Sequence, residues 1–135
     1  RSLKHLVEDW ARQIEPLPSL PDKEKTLDEL VRNAPFVELG YMMGLDGGTL
    51  ALSFNRDLLD ERQRSLAAKV RETDVRQRPW FKAVSRHWRT TLIPPYESMQ
   101  SSEACFTVCT PLHDGDGSVE AVLGIDINVT GWTRI

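Results

Sequence analysis

The 135-residue chain is poor in the features that would place it at once. It has two cysteines, Cys105 and Cys109. Four residues apart on a strand, at ~3.3 Å per residue, they lie ~13 Å apart, beyond the ~7 Å that a disulfide tolerates between Cα atoms. Both are expected to stay as thiols, and the compartment is not legible from them. No apolar run approaches the ~18 residues of a membrane span. Lys and Arg number 17 against 20 Asp and Glu, a net charge of −3, so no basic excess exists for a nucleic-acid footprint. His5, His87 and His113 are scattered, with no HExxH, and no GxSxG, P-loop or GxGxxG pattern occurs. Asp114, Asp116 and Ser118 imitate the start of a calcium loop, but its closing Glu would fall on Ile125. No cofactor or metal is expected. The chain opens at Arg1 without Met or signal peptide, which predicts a segment of a longer protein.

What is present is the composition of a folded domain: 40% hydrophobic and 27% charged residues. Leu3, Leu6, Val7, Trp10, Ala11 and Ile14 make one helical stripe, stopped by Pro16, Pro18 and Pro21. A second helix is expected from Asp22 or Thr26, with Thr26 and Glu29 as a capping box and Pro35 as its end. The period then switches. Residues 36–45 and 49–54 read as a hairpin around Asp46-Gly47-Gly48. Residues 57–72 have helical spacing, with Asp57 as a candidate cap, and are equally open to an irregular reading. Pro79 opens a short helix, 90–93 is a short strand ending at Pro94-Pro95, and 104–111 and 119–128 flank a turn at Asp114–Gly117. Helices followed by antiparallel strands predict an α+β domain: an N-terminal helical segment, 1–34, and a sheet domain, 35–135, forming one structural unit.

Asp126 interrupts the apolar run Val122–Ile127. A buried carboxylate is costly unless paired, so it is either a structural residue bonded to a loop or a pocket residue that takes a cationic group. Gly124, on the same face, leaves room for an approaching group. Arg76 and Arg78 flank Pro79-Trp80-Phe81, an arrangement suited to a carboxylate, though equally to surface arginines over a core tryptophan. Tyr96 is an aromatic hydroxyl on a rigid Pro-Pro turn. Cys109 with His113 lacks an orienting third group, so an enzyme using Cys109 or Asp126 as nucleophile or base is not expected.

Taken in order, these segments resemble a known family. Asp74-Val75-Arg76-Gln77-Arg78-Pro79-Trp80-Phe81 resembles the D-x-R-x-R-P-W-[YF] signature of Cache domains, also called PDC sensor domains. Pro95-Tyr96-Glu97-Ser98, Phe106–Leu112, Asp116-Gly117 and Val122–Ile127 match the family's later segments, and the resemblance covers most of residues 27–128. It implies a PAS-like fold, with N-terminal helices on one side of a central antiparallel sheet of about five strands. It implies the extracytoplasmic, periplasmic sensor of a membrane-anchored bacterial receptor: a chemoreceptor, histidine kinase or diguanylate cyclase. The ligand is then a small carboxylate, amine or amino-acid-like molecule, and the ligand-binding residues are Arg78, Trp80, Phe81, Tyr96 and Asp126. Two departures stand out: the position of one family tyrosine is Thr73, and Phe81 lacks a hydroxyl. The alternative reading is a PAS-like dimerisation and signal-relay domain without a ligand. The stripe on the first helix predicts a parallel homodimer, with part of the stripe meeting a second copy.

Overall fold

The computed structural model describes residues 2–134. Helix α1 spans Leu3–Ile14 and starts at Ser2, whose Oγ accepts from the amide of His5. Helix α2 spans Leu20–Arg32 and is capped by Ser19, which accepts from the amide of Asp22 at 3.2 Å. The expected start at Asp22 or Thr26 is therefore late. Pro21 belongs to the first turn, where its missing N–H has no partner to lose.

Strands β1 (Val37–Gly44), β2 (Thr49–Phe54), β3 (Thr91–Glu97), β4 (Ala104–His113) and β5 (Val119–Asn128) form one antiparallel sheet in the order β2-β1-β5-β4-β3. β3 does not stop at Pro94-Pro95. It runs through both as an edge strand, with an irregularity between Ile93 and Tyr96, and an edge is where a strand tolerates residues without an N–H. The 57–72 segment resolves as α3 (Glu61–Ala68) and a 3-10 turn. Asp60, rather than Asp57, is its cap: Asp60 and Gln63 exchange side-chain-to-backbone hydrogen bonds. After a second short turn at Val75–Gln77 comes α4 (Pro79–His87), and α5 (Val129–Thr133) follows the sheet.

The sheet has two covered faces. On one, Leu6, Val7, Trp10, Ala11 and Ile14 of α1, with Leu27 and Val31 of α2, pack on Met42, Val108, Leu123, Ile125 and Ile127. The α1 stripe is thus buried within one chain, each of those five residues at most 7% exposed. The chain's own sheet takes this part of the apolar face, and Leu3 at its start stays half-buried. On the other face, Leu59, Ala67, Val75, Phe81 and Val84 from the 57–87 segment pack on Leu39, Tyr41, Met43 and Val122. A register shift between Val37 and Leu39 at the start of β1 places an extra residue, Glu38, in the strand. Such a bulge re-aims a side chain. Here the Glu38 carboxylate lands among side chains of the β3–β4 connection rather than against α1. Among the described residues no helix is long and apolar enough to cross a membrane.

Candidate functional site

Between the sheet and the 57–100 segment lies a cavity of about 700 Å³. Arg78, Trp80, Tyr96 and Asp126 all line it, together with Thr73. Their convergence follows from register and helical phase. Asp126 lies opposite Thr107 on β4 and Leu39 on β1, on the sheet face away from α1 and α2. Arg78 stands at the N-cap of α4 with extended backbone, and Trp80 is the second residue of that helix. Phe81 does not line the cavity. Successive helical residues diverge by about 100°, so it turns from Trp80 toward the core beside Val84, at 5% exposed. Its missing hydroxyl therefore removes nothing from the cavity. Arg76 is absent from the lining too and pairs with its neighbour Asp74, Nη2 to Oδ2 at 2.5 Å.

Asp126 is 7% exposed, and its Oδ1 accepts from Tyr41 Oη and Thr107 Oγ1, each at 3.0 Å. Among the described residues its Oδ2 receives only Gln100 Nε2, at 3.4 Å. Burial pushes the Asp126 carboxyl up to about 6, against the pull of the Tyr41 and Thr107 hydrogen bonds, and the nearby Glu38 charge adds to the rise. Burial and the Asp126 charge likewise raise the Tyr41 phenol. Tyr96 keeps 37% of its surface exposed, but its hydroxyl end meets Thr107 Oγ1, and desolvation of that end followed by the Asp126 charge raises its pKa well above the usual value.

Arg78 has no carboxylate within ion-pair distance among the described residues. Its Nη1 lies 3.6 Å from Met99 Sδ. An Arg78–Asp126 salt bridge, which would fill the cavity with its own charges, is not formed. The wall between them is aromatic and aliphatic. Tyr41 and Trp80 lie with ring centroids 5.2 Å apart, flanked by Leu39, Met43, Leu52 and Ile93. Burial raises both thiols, Cys105 and Cys109, so neither is an ionised nucleophile near neutral pH.

Sequence reasoning missed Tyr41, Thr107, Gln100 and Glu38. Tyr41 had a readable signal: Gly124 sits opposite it on β5, and a Cβ there would meet Tyr41 Cε2 at 2.2 Å. The glycine leaves room, as expected, and the phenol ring occupies it.

No protein-family model matches the chain, and no curated protein matches it by sequence. Solved structures do. The ligand-binding domain of the amino-acid chemoreceptor PctC of Pseudomonas aeruginosa PAO1, in complex with GABA, is 21% identical with a TM-score of 0.68, over 97% of this chain and 56% of that one. That of the Pseudomonas fluorescens chemoreceptor CtaA with L-serine is 19% identical, TM-score 0.68, over 97% and 52%. That of Campylobacter jejuni chemoreceptor Tlp3 with L-norvaline is 16% identical, TM-score 0.71, over 93% and 49%. The chain has the fold of chemoreceptor ligand-binding domains. The central five-stranded antiparallel sheet with N-terminal helices on one side is as the motif order implied, and the chain spans about half the length of these structures.

Proposed function

We propose that this domain is the extracytoplasmic ligand-sensing module of a bacterial membrane signalling receptor and binds a small carboxylate, amine or amino-acid-like molecule in the cavity. One observation carries the reading. Arg78 and Asp126 line the same aromatic-walled cavity without pairing with each other, one offering donors and the other an acceptor. Arg78 then takes a carboxylate through its guanidinium fork, Asp126 takes an ammonium, and Trp80 and Tyr96 wall the site. Amino acids and GABA in the complexes of the structural neighbours support the same chemistry. The two helices and the sheet act as one sensing unit, on the periplasmic side of an anchored receptor that is a chemoreceptor, histidine kinase or diguanylate cyclase. Pairing of two copies along α1 belongs to this reading. With its apolar face committed, the contact falls to the exposed polar face around Lys4 and Asp9, and sedimentation across a concentration series tests it.

Calorimetry with a panel of amino acids, amines and short carboxylates tests the site. A charged hydrogen bond contributes roughly 1.5–3 kcal/mol, so Arg78→Ala and Asp126→Ala should each weaken binding about ten- to a hundred-fold. Binding unchanged in both variants places the ligand elsewhere. A panel without a single binder favours the relay domain.

A further inference from the structure

The cavity contains an acceptor whose direction is set from behind. Gln100 sits in the connection between β3 and β4 and is 8% exposed. Its Nε2 donates to Glu38 Oε1 at 2.8 Å and to Asp126 Oδ2 at 3.4 Å. Glu38 is fully buried, and its carboxylate also accepts from Ser98 Oγ, Ser101 Oγ and Asn128 Nδ2 at 2.7–2.8 Å. A carboxylate only accepts, so Glu38 obliges the carboxamide to present its nitrogen and to turn its oxygen away. That oxygen, Gln100 Oε1, has no hydrogen bond to any described residue. No buried side-chain nitrogen or oxygen among the described residues lacks a partner, so Oε1 keeps its exposure, on a residue that lines the cavity.

Asp126 presents a matching vacancy of hydrogen bonding. Its Oδ1 is filled by Tyr41 and Thr107, while among the described residues Oδ2 has only the long Gln100 contact. The covalent geometry of the carboxamide keeps Gln100 Oε1 within about 6 Å of Asp126 Oδ2. One nitrogen spans that gap with two hydrogen bonds of about 2.9 Å.

We propose that Gln100 is a specificity-determining residue: its Oε1 and Asp126 Oδ2 together take one nitrogen bearing at least two N–H groups, so the cavity selects primary ammonium ligands over their tertiary and quaternary analogues. The inference rests on the cavity being a ligand site, as proposed above. A quaternary ammonium keeps the charge but donates nothing. It leaves Oε1 and Oδ2 desolvated and unpaired, which is the arrangement that discriminates most sharply.

The test is calorimetry with matched pairs: phenylethylamine and phenylbutylamine, L-phenylalanine and L-norvaline, each against its N,N,N-trimethyl analogue. Wild type should bind the primary member of a pair roughly ten- to a hundred-fold more tightly. Gln100→Met keeps the length and removes the acceptor, and should bring the ratio close to one. Glu38→Gln, which no longer dictates the carboxamide's direction, should reduce the ratio as well and serves if Gln100→Met does not fold. The ratio is insensitive to general loss of stability. Equal binding of both members by wild type, or an unchanged ratio in both variants, overturns the inference and leaves the ligand site standing. No binding by any member overturns the ligand site and the inference with it.

Discussion

Asp126 is buried in a setting that favours its neutral form. Its carboxyl titrates at about 6 in the fold, against about 3.9 for an unperturbed Asp. Because the folded value is the higher one, this group's contribution to stability is fully present below the unfolded value and is lost as pH rises through about 6. Asp126→Asn should therefore melt several degrees above wild type at pH 8. That corresponds to on the order of 2 kcal/mol, and the gap should close as pH approaches 4. The same substitution should weaken binding of amines about ten- to a hundred-fold, since they need the ionised form, and wild-type amine affinity should rise as pH increases through about 6. Thermal melts of both proteins from pH 4 to 8 check the first statement. A gap independent of pH overturns it. At this scale Arg78, Trp80, Tyr96 and Asp126 were legible because each is chemically conspicuous where it stands: an Arg and a Trp around a helix-opening proline, a Tyr after two prolines, an acid in an apolar strand. Tyr41 and Thr107 were not, because they acquire their meaning only from strand register, which puts them beside Gly124 and Asp126.

At the scale of elements, the β3–β4 connection is fastened to the sheet by side chains. Ser98 Oγ donates to Glu38 and accepts from the amides of Gln100 and Ser101 at 3.3 and 3.1 Å, and Ser98 O accepts from the Ser102 amide at 2.9 Å. Ser98→Ala removes the side-chain part of this fastening. It should leave global unfolding within roughly 1–2 kcal/mol of wild type while amides 100–102 exchange at least several-fold faster. Hydrogen exchange by mass spectrometry resolves the segment, and unchanged local protection would show that the connection is held by its backbone alone. Elements announced by caps and period were read well: α1, α4, β2 and β5 fall within a residue or so of their expected bounds. Those decided by tertiary context were not. Ser19 rather than Thr26 starts α2, because Pro21 is tolerated in a first turn. The Glu38 bulge has no local sequence signal, since Val37-Glu38-Leu39 reads as plain alternation until β5 pairs with both sides of it.

For the molecule as a whole, the α+β class and the hairpin partners followed from the switch in hydrophobic period at Pro35 and from the two Gly-containing turns. The strand order β2-β1-β5-β4-β3 is another matter. Placing the last strand between the first and the fourth depends on long-range pairing that no local pattern encodes, and the sequence carries no expectation of the order. That order puts the two most buried strands, β1 and β5, side by side in the interior of the sheet. It leaves β3 at one margin, with Leu92 and Tyr96 exposed.

This marginal strand has a consequence for how the protein behaves in a crowd. An open sheet edge offers a row of amide donors to any other chain, and so invites edge-to-edge growth. In β3 two successive residues, Pro94 and Pro95, have no amide hydrogen to offer. They interrupt the template in the part of the strand that also walls the cavity, where Ile93 and Tyr96 keep the surface apolar. Replacing both prolines by threonine restores the donors without adding bulk to the core. Light scattering at millimolar protein should then show concentration-dependent association that the natural sequence resists. Equal scattering from the two proteins would mean that the colloidal behaviour of this domain is set elsewhere on its surface.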